Sequence, residues 1–129
     1  MADLLQFELV SPEAKLASTE AEAVTIPAQL GELTAMAHHA PFLTTLRPGY
    51  VVVTGSERAR YFVTGGFAEI SDNTVSVLAE EALAEDDVSA EWLSEKIEAA
   101  KKVVEDAGEE RRQIEAQRLA DLEQLAARA

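Results

Sequence analysis

Cysteine is absent from this chain, which excludes disulfides, thiolate metal ligands and thiol nucleophiles together. Aromatic residues are scarce, at 5% with a single tryptophan, so a core must be built from Val, Leu, Ile and Ala within the 47% hydrophobic content. Positive charge is also scarce. The 11 Lys and Arg stand against 24 Asp and Glu, a net charge of -13. That balance excludes nucleic acid as a partner, because such affinity rests on cationic side chains displacing counterions from phosphates. It also disfavours lying flat on an anionic membrane. No long apolar run exists: the longest stretch without a charge, Leu33 to Leu46, holds both histidines and a proline and is too short to span a bilayer. The opening "MADLLQFELV" carries Asp3 and no basic residue, so no secretory signal is expected. At 129 residues the chain suits one domain, or a small domain with an appendage.

What is present divides in two. In "LQFELV", Leu5, Phe7 and Leu9 alternate with Gln6 and Glu8, a period of two that predicts a strand with one buried face. Short apolar runs follow: "AVTI" before Pro27, "YVVVT" from Tyr50, "RYFVT" from Arg60, "FAEI" from Phe67 and "TVSVL" from Thr74. Turn signals separate them at "SPE", Gly31, "RPG", "TGS", "TGG" and "SDN". Many short strands at close spacing predict a β-sandwich or barrel over residues 1–86.

From residue 87 the composition becomes helical, with no proline and only Gly108 as a breaker. Asp87 or Ser89 can cap a first helix, with Glu91 in its first turn and Leu93, Ile97, Ala100 and Val104 forming one apolar stripe. "DAGEE" at Asp106 to Glu110 offers a stop and a new start, and Ile114, Leu119, Leu122 and Ala126 give the second helix its stripe. The prediction for 87–129 is an antiparallel two-helix hairpin. Helices of roughly 17 to 20 residues are marginal alone, and these faces are narrow and rich in alanine. Because an Ala buries far less area than a Leu at about 25 cal/mol per Å², the hairpin should undock at low cost.

Chemistry is harder to find. His38 and His39 are adjacent, so they point in different directions, and no third ligand is recognisably spaced from them. No Gly-x-Ser-x-Gly elbow is present, and no carboxylate pair stands out from the abundant acids. "TGGF" at Thr64 to Phe67 has neither phosphate-loop spacing and reads as a strand turn. Trp92 reads as a ring covering the junction between helix and sandwich. An enzyme is the least favoured class, and no metal or cofactor is expected.

Set in order, "LVSPE", "AEAVTIP", "HAPFLTTLRPG", "YFVTGGFAEI" and "VSVLAEEA" closely resemble the epsilon subunit of bacterial and chloroplast F-type ATP synthases, the counterpart of the mitochondrial delta subunit. The resemblance covers nearly all of residues 5 to 82. It implies a β-sandwich followed by a two-helix domain, in a non-catalytic subunit of the rotor's central stalk. Such a subunit binds gamma and sits on the polar loops of the membrane c-ring, coupling proton flow to ATP synthesis. Its association with the cytoplasmic face of the bacterial inner membrane is therefore through the complex alone. In the family, one loop containing the Gly-Glu-Leu and His-Ala-Pro motifs lies at the c-ring end, which carries Gly31, Glu32, His39, Ala40 and Pro41 over as c-ring contacts.

Three departures from the family pattern are visible. Thr34 stands where the family usually has Gly, and His38 where a Gly usually precedes the histidine of the motif. Some bacterial members bind ATP through Leu-Asp-x-x-Arg-Ala at the start of the first helix, but here the aligned stretch is "VSAEWL". With Ser89 for the Asp and Trp92 for the Arg, neither carboxylate nor guanidinium is left to hold a nucleotide, and no ATP site is expected. In members that restrain hydrolysis, the hairpin opens and its second helix reaches acidic segments of the alpha and beta subunits, a role that would fall to Arg111, Arg112 and Arg118. The rival reading from the residues alone is a free-standing small-molecule binding sandwich with a dimerising helical tail.

Overall fold

The computed structural model describes residues 3–128. Ten strands come first: β1 (Leu5–Val10), β2 (Lys15–Ala21), β3 (Ala23–Ala28), β4 (Gly31–Met36), β5 (Phe42–Leu46), β6 (Gly49–Thr54), β7 (Arg58–Val63), β8 (Gly66–Ile70), β9 (Thr74–Ala79) and β10 (Ala82–Ala84). A 3-10 turn at Glu85–Asp87 leads to α1 (Ala90–Asp106) and α2 (Glu109–Arg128). The chain forms two compact units, divided between Glu85 and Asp86.

Hydrogen bonding links the strands in the order β10-β7-β6-β3-β5-β8-β9-β1-β2, with β4 on the other edge of β3. The link between β3 and β5 is a single pair, Ala28 opposite Leu46, whereas the other links are longer. There the sheet folds over into a sandwich. One layer is β2-β1-β9-β8-β5 and the other is β4-β3-β6-β7-β10. All neighbouring strands are antiparallel except β1 and β9, which run parallel with Phe7 beside Val75 and Leu9 beside Val77. Leu5, Phe7 and Leu9 face inward as their alternation predicts, meeting Val24 and Ile26 of β3, Val51 and Val53 of β6, and Val75 and Val77 of β9 in one core. With so few aromatics the interior is filled by branched aliphatics, and Phe7 and Tyr61 are stacked at 6.4 Å between ring centroids.

Several elements exceed the strand pattern read from sequence. The run expected to stop before Pro27 continues to Ala28. A proline is tolerated there because the far edge of β3 pairs with β6 only as far as Thr25 and meets β5 only at Ala28, so no ladder bond needs the missing N–H. The Pro27 carbonyl still accepts from the Arg47 N–H at 2.9 Å. β2 was hidden by its polar composition and β10 by its length, while β4 and β5 occupy the segment expected as one loop.

The helical unit follows its sequence signals closely. Ser89, and not Asp87, is the N-cap of α1: its hydroxyl accepts the Trp92 N–H at 3.0 Å, while Asp87 closes the preceding 3-10 turn. Leu93 is buried and Ile97, Ala100 and Val104 are half-buried, as their spacing predicts. The two-residue link Ala107–Gly108 and the packing of α2 on α1 make a helical hairpin. The expected stripe of α2 needs one correction. Ile114 is 63% exposed and Glu115 is buried in its stead, because the buried face is centred on Leu122, and Glu115, seven residues earlier, returns to nearly the same side of the helix. Arg111 donates to the Glu115 carboxylate at 3.4 Å, which offsets the cost of burying it.

Candidate functional site

β4 decides the geometry of the carried-over contact residues. Its pairing with β3 is in register along its whole length, from Gly31 beside Ala28 to Met36 beside Ala23, and no second strand covers its outer edge among the described residues. Gly31 and Glu32 lie at one end of this edge strand, and His39, Ala40 and Pro41 lie beyond the other. The two motifs therefore do not share a loop. At about 3.3 Å per residue, the six-residue strand separates them by roughly 17 Å. The Gly31 end is the tip of a tight β3–β4 hairpin, where Gly31 takes a φ of 135°, a conformation reserved for glycine, and Leu30 is fully exposed. Thr34 sits in mid-strand and its hydroxyl pairs with that of Thr25 across the ladder at 2.8 Å, so a β-branched residue suits this position.

The His-Ala-Pro end is held by different means. His39 hydrogen-bonds through its ring Nδ1 to the Ala40 carbonyl at 2.7 Å, and its N–H donates to the Met36 carbonyl at 3.2 Å, so the motif folds on itself. His38 is the only non-glycine described with a positive φ, 68°. That conformation costs an L-residue about 1–2 kcal/mol and explains why glycine suits this position. Two contacts compensate. The His38 N–H donates to the Asp72 carbonyl at 2.6 Å, and the ring Nε2 meets the Asp3 carboxylate at 2.6 Å. The ring Nδ1 faces the second carboxylate, Asp72, at 3.6 Å. The hydrogen bond to Asp3, followed by the charge of Asp72, raises the His38 pKa above its ordinary value. No cluster of three or more His, Asp or Glu is disposed to hold a metal among the described residues.

A third surface lies on the outside of the β1-β9-β8-β5 layer and was missed by the sequence reading. Phe67 of β8 stands beside Leu78 of β9, and Leu78 beside Val10 of β1, so one apolar row crosses three strands. Phe67 is 54% exposed and Leu78 58%. Leu43 of β5 lies opposite Glu69 in the next row, which continues through Ser76 to Glu8. Together these residues line a shallow cleft of about 280 Å³, apolar along one row and acidic along the next. The signal available in sequence was "GFAEI", in which Phe67 and Ala68 are both apolar: only one can face the core, and the buried one is the smaller.

On the hairpin, Ser89 is occupied as the helix cap and the Trp92 ring lies beneath the Lys96 ammonium at 5.3 Å. The three arginines are not equivalent. Arg111 is bonded to Glu115 and Arg112 donates to the Ala107 carbonyl at 3.2 Å, while Arg118 is half-buried. Among the described residues no helix is long and apolar enough to cross a membrane.

The fold class is a β-sandwich with an exposed apolar outer face, followed in the chain by a helical hairpin whose two helices bury few apolar side chains. Residues 4–85 match the family described as ATP synthase, Delta/Epsilon chain, beta-sandwich domain. The ATP synthase epsilon chain of Ruegeria sp. (strain TM1040) is 48% identical over 131 aligned residues, covering 97% of this chain and 96% of the relative. That of Rhodobacter capsulatus is 47% identical over 126, with the same shares covered. A chain in the cryo-EM structure of the Euglena gracilis mitochondrial ATP synthase, comprising OSCP, F1 and the c-ring, superposes with a TM-score of 0.73 at 24% identity, over 96% of this chain and 80% of that one. The chain belongs to the ATP synthase delta/epsilon family, whose members are non-catalytic subunits of the synthase.

Proposed function

We propose that this chain is the epsilon subunit of the central stalk of a proton-translocating F-type ATP synthase, peripheral on the cytoplasmic face of a bacterial inner membrane. The observation that carries this reading is the apolar row Val10–Leu78–Phe67 on the outer sheet face, with Val10 half-buried and Leu78 and Phe67 exposed. Such a face is costly to leave in water and suits a permanent partner. Gamma takes that face. The free edge of β4 meets the c-ring, with Gly31 and Glu32 at one contact point and His39, Ala40 and Pro41 at a second. Coupling follows from stiffness: the hairpin tip and the β4–β5 loop are both fixed to the sheet, so rotation is passed on without reordering the chain at each step.

The hairpin serves control. When it opens, α2 presents Arg111, Arg112 and Arg118 to acidic segments of alpha and beta and restrains hydrolysis. The half-burial of Arg118 in the closed hairpin supports a site that is masked until opening. A pull-down of the purified chain on isolated gamma and on c-ring tests the assignment, with wild type compared with a truncation after Asp87. Capture of both forms is expected; failure of both under native conditions would overturn the stalk assignment.

A further inference from the structure

His38 joins three segments that are remote in sequence: the entry to β1 through Asp3, the turn between β8 and β9 through Asp72, and its own β4–β5 loop. Both ring nitrogens face carboxylate oxygens, Nε2 at 2.6 Å from Asp3 and Nδ1 at 3.6 Å from Asp72. A neutral imidazole carries one N–H and can serve only one of these acceptors, leaving a lone pair against the other. The imidazolium has a donor for each. We propose that His38 is a proton-controlled clasp: charged, it ties the β4–β5 loop to both neighbouring segments, and on losing its proton it gives up one of the two carboxylates and loosens the loop that carries His39, Ala40 and Pro41.

The backbone gives the clasp something to control. His38 is held at a φ of 68°, and the contacts that hold it there are its N–H to the Asp72 carbonyl and its ring to Asp3. Weakening the ring contacts lets this residue relax toward negative φ, and the loop must then shift with it. The facing charged groups are Asp3 and Asp72, both acidic, and the other titratable group of the loop, His39, is turned onto the Ala40 carbonyl. The sign follows from the raised His38 pKa: the clasp is fully made below the ordinary imidazole value of about 6.5 and is lost as pH rises through the higher folded value. A glycine at this position would keep the conformation and lose the switch. The inference concerns the loop itself and holds whichever partner the loop meets.

The test is an NMR titration of the full chain between about pH 5 and pH 9, following the His38 ring and the exchange protection of the His39, Ala40 and Phe42 amides. Expected are a His38 midpoint above about 6.5 that falls in Asp3→Asn and in Asp72→Asn, and loop protection, corrected for intrinsic exchange, that drops roughly threefold or more through that midpoint. His38→Gly should fold normally and show flat loop protection. A His38 midpoint at the ordinary value, or loop protection in the wild type that ignores the His38 titration, would overturn the clasp.

Discussion

Phe67 and Leu78 stand opposite each other across β8 and β9 with both side chains turned to solvent, while Ala68 and Val77, their neighbours in the chain, are each 1% exposed. Alternation thus separates the surface from the core cleanly, and the outer pair can be changed without disturbing packing. Phe67→Ser should weaken binding to isolated gamma by about 2 kcal/mol, roughly thirtyfold, as expected for an aromatic anchor at an interface centre. Its unfolding midpoint in urea should stay within a few tenths of a molar of wild type. Calorimetric titration of gamma reads the first quantity. Wild-type affinity in both Phe67→Ser and Leu78→Ser would move the gamma contact off this face.

The division of the carried-over contacts by β4 makes the c-ring reading separable into two halves. Glu32→Lys reverses a charge at the hairpin tip, and Pro41→Ala loosens the loop at the far end. If the whole β4 edge rests on the ring, each should lower c-ring capture by the gamma-bound chain, by about 1 kcal/mol or roughly fivefold. An effect of Glu32→Lys alone would confine the contact to the Gly31 end, and an effect of Pro41→Ala alone would confine it to the other.

Gly66 begins β8 with a φ of 132°, and a Cβ placed on it would come within 2.1 Å of the Leu78 carbonyl oxygen. Here conformational strain and backbone overlap add, and neither can be relieved by rotating a side chain. Gly66→Ala should cost about 3 kcal/mol or more in urea unfolding. Because Gly66 pairs with both Leu46 and Ala79, the loss should appear as faster amide exchange in β5 and β9 together. A variant as stable as wild type would mean that the β8 start shifts freely.

These cases show what the sequence made legible. Strands with strict alternation, such as Leu5, Phe7 and Leu9, revealed both their existence and their inward face. The helices were bounded by Ser89 and Gly108, whose chemistry is local and needs no tertiary knowledge. The segment from Gly31 to Leu46 was opaque because β4 and β5 are held by pairing with β3 and β8, and not by any pattern of their own. His38 was equally hidden: Asp3 and Asp72 are 35 and 34 residues away, so its role depends on the fold bringing three turns together. The apolar row was invisible for the opposite reason, since Phe67 and Leu78 read as core until the strands are registered.

Nucleotide binding is open to direct measurement. The Ser89 hydroxyl caps α1 and the Trp92 ring pairs with Lys96, so positions 89 and 92 supply neither the carboxylate nor the guanidinium that a Leu-Asp-x-x-Arg-Ala type of ATP site would need. Equilibrium dialysis of the isolated chain with ATP should show no saturation below about 1 mM. Submillimolar binding would require a site built from other residues. Ser89→Asp with Trp92→Arg should introduce affinity if these two positions alone are decisive, since Asp remains a competent helix cap.

The hairpin is thinly packed with apolar side chains. Among the described residues its buried apolar side chains are Leu93 and Leu122, most of the remaining stripe is half-buried, and Val103 and Ile114 are 45% and 63% exposed. At about 25 cal/mol per Å² so little buried area cannot match the core of the sandwich. Amide exchange in residues 90–128 should therefore be faster than in β1, β8 and β9, and equal protection would rule out a loose hairpin. If opening uncovers Arg118 beside Arg111, as proposed above, truncation after Asp87 should raise ATP hydrolysis by the assembled enzyme about fivefold, a restraint of roughly 1 kcal/mol. Replacing Arg111, Arg112 and Arg118 together by alanine should reproduce most of that rise without truncation. If the truncated enzyme hydrolyses ATP at the wild-type rate, the hairpin restrains nothing and its mobility must serve assembly instead.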